Sequence, residues 1–84
     1  MVSVRYYGPS ADFTTKTEEK LTSIKTISAL VQHFETEYSV NFADYVRNNC
    51  GICVNLEYID LNEDSEMTLS EEDEVAIIPP VSSG

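Results

Sequence analysis

Hydrophobic and polar residues alternate from the start of the chain, with Val2, Val4 and Tyr6 separated by Ser3 and Arg5. A period of two predicts a strand with one buried face. Gly8-Pro9-Ser10 supplies the breaker chemistry that ends it. Residues 9–16 read as a polar connection, with Phe13 turned back onto the core. A weaker strand is expected within Glu18–Ile24, where Leu21 points inward. The period then lengthens. Ile27, Leu30, Val31, Phe34 and Tyr38 fall on one helical stripe, and Thr26 precedes it as the N-cap. The stripe is narrow, so the helix should lie across another layer. Phe42, Tyr45 and Val46 predict a short helical turn over Phe42–Arg47.

Alternation returns at Ile52–Glu57, which reads as a central strand, with Tyr58 and Ile59 running on toward an acidic turn. Met67-Thr68-Leu69 suggests a brief edge strand and Ser70–Asp73 a turn. Val75-Ala76-Ile77-Ile78 is the last strand, apolar on both faces, so one face should meet the helix and the other a further surface. Strand, strand, helix, strand, short strand, strand is the order of an α+β roll, a mixed sheet with one main helix packed on one face. No repeat or linker interrupts residues 1–84, which read as one domain.

Composition narrows the functional classes. A chain of 84 residues buries only about 60% of its unfolded surface, and no run reaches the ~20 apolar residues of a membrane span. MVSVRYYG lacks the basic and apolar regions of a signal peptide, which makes the cytoplasm the expected compartment. Fifteen acidic against five basic residues give a formal charge of −10. Such a surface repels nucleic-acid backbones and anionic membranes and favours protein partners with basic faces.

Four constellations suggest chemistry, and each has a plainer reading. Cys50-Gly51-Ile52-Cys53 spells C-x-x-C, but it opens a strand, where residues three apart face opposite ways. They read as packing cysteines. Asp60, Asn62, Asp64 and Glu71 match ligand positions of a calcium loop, yet Ser65 stands where that loop needs glycine, and strands replace its flanking helices. A solvated acidic loop is expected there, and another at Glu71-Glu72-Asp73-Glu74. His33 has no second ligand at metal spacing and reads as a boundary residue. With no nucleophile–base arrangement or phosphate loop, the chain offers no self-sufficient active site, and neither a metal nor a resident cofactor is expected.

The end of the chain is more informative. Pro79-Pro80 fixes the backbone, removes two N–H groups and stops the sheet after Ile78. Residues 79–84 should therefore form a stiff extended arm. Val81, Ser82, Ser83 and Gly84 are all small and reach at most ~14 Å. A slim arm of fixed direction suits a narrow channel. At its tip Gly84 would expose a carboxylate with no side chain to shield it.

The strand through Tyr6, the helix from Thr26 to Tyr38, Val54-Asn55-Leu56-Glu57-Tyr58 and above all Asp73-Glu74-Val75-Ala76-Ile77-Ile78-Pro79-Pro80-Val81-Ser82 carry a resemblance. They resemble the MoaD/ThiS family of ubiquitin-like sulfur carriers, in particular its branch of molybdopterin synthase small subunits. The resemblance spans essentially the whole chain. It is most specific in the last dozen residues, where that branch reads D-E-V-A-x-x-P-P-V-S-G-G. It implies a β-grasp fold. It implies that a ubiquitin-activating-type adenylyltransferase/sulfurtransferase adenylates Gly84 with its own ATP and converts it to a thiocarboxylate. The arm would then enter the synthase large subunit, in an assembly of two small and two large chains. There sulfur would pass to cyclic pyranopterin monophosphate, on the path to molybdenum cofactor. On this reading Pro79 and Pro80 aim the arm, while Ser82 and Ser83 line it. Val75, Ile77 and Ile78 divide between core and partner docking.

Two positions depart from the family pattern. Ser83 replaces a glycine, adding a Cβ and a hydroxyl in the narrowest part of the implied channel, and Glu72 replaces a glycine in the preceding turn. Two other functions stay open at this point. One is a ubiquitin-like modifier joined to lysine through Gly84; the other is an interaction domain that has lost carrier activity, which Ser83 motivates.

Overall fold

The computed structural model describes residues 1–80. Val81, Ser82, Ser83 and Gly84, the outer part of the expected arm, lie outside the described residues. The described elements run β1 (Val2–Tyr6), α1 (Pro9–Thr14), β2 (Glu18–Leu21), α2 (Ile27–Glu37), α3 (Val40–Asn49), β3 (Gly51–Val54), β4 (Glu57–Ile59) and β5 (Glu74–Ile78). The strands form one mixed sheet in the order β2-β1-β5-β3-β4. β1 pairs with β2 antiparallel and with β5 parallel, whereas β3 pairs antiparallel with both β4 and β5.

The central strand is β5, and the assignment of that place to Ile52–Glu57 is corrected. Each of the two hairpins leaves one free inner edge, and the last strand closes the gap between them. Its apolar residues on both faces suit a strand flanked on each side.

The helices cover one face. Val2, Val4 and Tyr6 of β1, Ile52 and Val54 of β3, and Val75 and Ile77 of β5 point toward Ile27, Leu30, Val31 and Phe34 of α2 and toward Phe42, Ala43 and Val46 of α3, all buried. Leu21 joins this core as expected. α2 begins where the Thr26 hydroxyl accepts from the Ala29 N–H (3.0 Å), satisfying a donor the first turn leaves free. Ser39 does the same for α3 through the Phe42 N–H (3.0 Å). That second cap extends the expected turn at Phe42–Arg47 into a ten-residue helix. Phe34 and Phe42 join the two helices with ring centroids 4.9 Å apart.

Three other elements differ from expectation. Residues 9–14 are helical: Pro9 pre-sets the first turn, and the buried Thr14 hydroxyl donates to the Ser10 carbonyl (3.0 Å). Phe13 does turn inward, stacking on Phe42 and Tyr45 at 5.2 and 5.6 Å, but keeps 40% of its surface exposed. Met67–Leu69 contributes a single bridge, Thr26 to Thr68, and no strand.

The third difference splits Ile52–Glu57. Val54 pairs with Glu57, so Asn55 and Leu56 form a two-residue hairpin turn. Both have positive φ, 51° and 71°. That is the type I′ geometry, which matches the twist of its strands and ordinarily takes Asn-Gly. Here leucine occupies the glycine position, at a cost of about 1–2 kcal/mol for a left-handed residue with a Cβ.

A polar cluster closes the open corner between β2 and α2. The Glu19 carboxylate accepts from the hydroxyls of Tyr6 and Tyr38, both at 2.7 Å, and from Lys16 Nζ at 2.9 Å. Burial alone would raise the Glu19 pKa, but the donors Tyr38, Lys16 and Tyr6 outweigh it and hold the group below its ordinary value. Burial, reinforced by the same carboxylate, pushes both tyrosines up. Among the described residues, no helix is long and apolar enough to cross a membrane.

Candidate functional site

β5 carries the site because it leads directly to the prolines. Its residues alternate strictly. Val75 and Ile77 are fully buried beneath the helices, whereas Ala76 and Ile78 lie on the opposite, uncovered face. Of the three residues assigned to partner docking, Val75 and Ile77 are therefore core residues. Ile78 alone of them is available to a partner.

Pro79 is half-buried and Pro80 exposed. Pro79 lies against Gly8, just before α1. Gly8 has φ 60° and ψ −138°, a conformation open mainly to glycine. A Cβ there would stand 3.2 Å from both Cβ and Cγ of Pro79. The proline ring thus packs on bare backbone. Sequence reading took Gly8 only as a strand breaker; the Gly-Pro dipeptide was the signal, but its contact 71 positions away was not legible.

Around Ile78 the open face of the sheet is apolar. The register puts Cys53 beside Ala76 on β5 and beside Tyr58 on β4, with Gly51 beside Ile78. Tyr58 is 68% exposed and lies across Gly51, where an added Cβ would meet its Cε1 at 2.8 Å. Alternation past Tyr6 puts the exposed Tyr7 on the same side. Sequence reading missed Tyr7, Gly51 and Tyr58, although an aromatic at an exposed strand position was a usable signal. The neighbouring part of this face is charged: Arg5 sits between Glu18 (3.7 Å) and Glu74 (3.6 Å).

At the far end of β5, Asn55 locks the β3–β4 turn. Its Nδ2 donates to Asp73 Oδ1 (2.9 Å), its Oδ1 accepts from the Glu74 N–H (3.0 Å), and its own N–H donates to the Glu74 carbonyl (2.8 Å). Asp73 also accepts from the Ser70 N–H at 2.7 Å. The Ser70 bond, then the Asn55 bond, hold the Asp73 carboxyl below its ordinary range.

The other sequence candidates are accounted for by local structure. Cys50 and Cys53 are free thiols, the first at the end of α3 packed against the core and the second on the open face. Burial pushes the Cys50 thiol up, away from the reactive thiolate. In the loop that matches a calcium motif, Asp60 Oδ1 accepts from the N–H groups of Asn62 and Glu63, and Asp64 Oδ2 from that of Asp60. Those carboxylates brace the turn. His33 is half-buried, its ring edge-on to Tyr38 at 6.3 Å.

A mixed five-stranded sheet with two main helices packed on one face, and with the last strand at its centre followed by two prolines, defines a β-grasp, ubiquitin-like protein. The solution structure of small archaeal modifier protein 1 from Methanosarcina acetivorans superimposes with a TM-score of 0.74 at 25% identity, covering 99% of this chain and 95% of that one. The complex of subunits 1 and 2 of molybdopterin-converting factor from Helicobacter pylori contains a chain that matches at 0.67 and 22% identity, over 99% and 97%. In sequence, the molybdopterin synthase sulfur carrier subunit of Pyrenophora tritici-repentis is 42% identical over 83 residues, covering 98% of this chain and 88% of that protein. The ThiS family model matches residues 4–84, and the chain belongs to that family.

Proposed function

We propose that this chain is the sulfur-carrying small subunit of a molybdopterin synthase, with the carboxylate of Gly84 as the carrier group. The 42% identity to a sulfur carrier subunit across nearly the whole chain carries the reading. The packing of Pro79 on Gly8 supports it, because an arm that delivers a reactive tip must leave the domain in a fixed direction.

An α-carboxylate has a pKa of about 3.5 and is ionised at neutral pH, which makes it a poor acyl electrophile. Activation proceeds in two displacements on a partner enzyme of the ubiquitin-activating type. The Gly84 carboxylate attacks the α-phosphate of ATP and expels pyrophosphate, leaving an acyl adenylate. Sulfide, as HS⁻, then adds to the acyl carbon and expels AMP, leaving a thiocarboxylate and releasing a proton. The arm carries that sulfur into the large subunit, which holds the pterin precursor and the catalytic side chains. Docking there uses the open face around Tyr58, Ile78 and Tyr7. The reading implies a cytoplasmic setting and a carrier with no resident cofactor.

The test is to incubate the chain with ATP, a candidate activating enzyme and a sulfur source, then weigh it intact. Replacement of oxygen by sulfur adds about 16 Da. The Ser83→Gly variant run beside it separates two cases: equal conversion means that the serine is tolerated, while conversion only in the variant points to an interaction domain that has lost its carrier step. The modifier reading is favoured by likeness to a small archaeal modifier protein. It predicts lysine-linked adducts in cell extract in place of sulfur transfer to a pterin.

A further inference from the structure

The tip of the β3–β4 hairpin is built against its own stability. Its geometry asks for glycine at the second turn position, and Leu56 stands there with φ 71°. The same side chain is 90% exposed, the most exposed large hydrophobic residue among those described. In the isolated chain, leucine at this position gains no burial and strains its backbone. The turn is nevertheless held firmly, since the backbone N–H and both side-chain polar atoms of Asn55 are tied to Asp73 and Glu74. A rigid support under a strained, exposed apolar residue is the arrangement of a docking knob.

We propose that Leu56 is a second anchor for the synthase large subunit, seated in an apolar socket rimmed by cations. This rests on the carrier reading above. Two observations fix the occupant's chemistry. The knob is flanked by acids, with Glu57 next to it in the chain and the Asp73 carboxylate bonded to its neighbour Asn55, which calls for a basic rim. It also continues the docking face. Leu56 lies two residues from Tyr58, and Asn55 bonds to the first residue of β5, whose last residue, Ile78, leads to the prolines. Four residue steps of about 3.3 Å separate those ends, roughly 13 Å. A carrier gripped only at its arm can pivot about it. A knob at the other end of the same strand stops that rotation and fixes the depth to which the arm enters.

Leu56→Gly separates this role from a structural one, because the two predict opposite changes. Relief of the left-handed strain should raise the melting temperature by about 4–8 °C, while affinity for the purified large subunit, measured by calorimetry, should fall at least tenfold. Leu56→Met keeps the apolar bulk and should retain affinity within about threefold. Unchanged affinity in Leu56→Gly, with wild type binding normally, overturns the anchor and leaves the carrier reading intact. Loss of affinity together with a lower melting temperature also overturns it, since a damaged hairpin then explains the defect. If the thiocarboxylated wild-type chain itself fails to bind the large subunit, the subunit reading falls and takes the anchor's partner with it.

Discussion

The two faces of the sheet are made by the same strands and have opposite fates. On the helix side, Val4, Val75 and Ile77 are fully buried. On the other side, Ala76 and Ile78 of the same β5 are only partly covered, and Tyr58 stands mostly in solvent. A strand that looks uniformly hydrophobic in sequence is thus divided residue by residue: one set holds the fold, and the other is left open for the docking proposed above. The division follows from the pleat, and it makes the two jobs separable by mutation.

The sharpest test compares adjacent residues. Ile77→Ala should destabilise the protein by about 2–5 kcal/mol, read as a shift of the chemical-denaturation midpoint with the slope unchanged. Ile78→Ala should cost under about 1.5 kcal/mol, since that side chain is already partly in water, yet weaken large-subunit binding. Equal losses of stability at the two positions would erase the distinction between the faces. A smaller effect is expected at Gly8, where both faces meet the exit of the arm. Gly8→Ala forces a Cβ into a glycine conformation and against Pro79, and should cost about 1–3 kcal/mol. Delivery of sulfur should fall further than stability alone explains, measured as turnover with pre-formed thiocarboxylate.

The smallest of these effects lies on the core side and depends on pH. Glu19 is held below its ordinary carboxylate value in the folded chain. Its contribution is therefore complete above about pH 4.3 and is lost as the pH falls through the folded-state value. Tyr6 and Tyr38 are raised, so their contribution is complete below about pH 10 and fades above it. Glu19→Gln should lower stability by about 1–2 kcal/mol at pH 7 and flatten the acid limb of a stability–pH curve. Binding through the open face should not change.

Strong local signals made part of this architecture legible. β1 has its expected bounds, Thr26 caps α2, and the apolar run Val75–Ile78 forms the last strand, with Glu74 added at its start. Each rests on periodicity or a cap visible within a few residues. What failed was non-local or against type. The place of β5 at the centre depends on pairing with β1, seventy residues earlier. α1 has no apolar stripe, being held by Ser10 and Thr14 hydrogen bonds that composition does not reveal. The β3–β4 turn was hidden because leucine stands where glycine would have announced it. At the site, the end of the sheet before Pro79 was legible from proline chemistry, but the split of Val75, Ile77 and Ile78 was not, since it depends on which face the helices cover.

The two prolines follow the middle strand of the sheet, which is bonded along both edges, in parallel to β1 and antiparallel to β3. A pull on the tail is therefore carried lengthwise by two ladders together, whose rungs share the load and cannot be opened one at a time. Tension applied beyond Pro80 would thus be met by the whole sheet and not by a single edge strand.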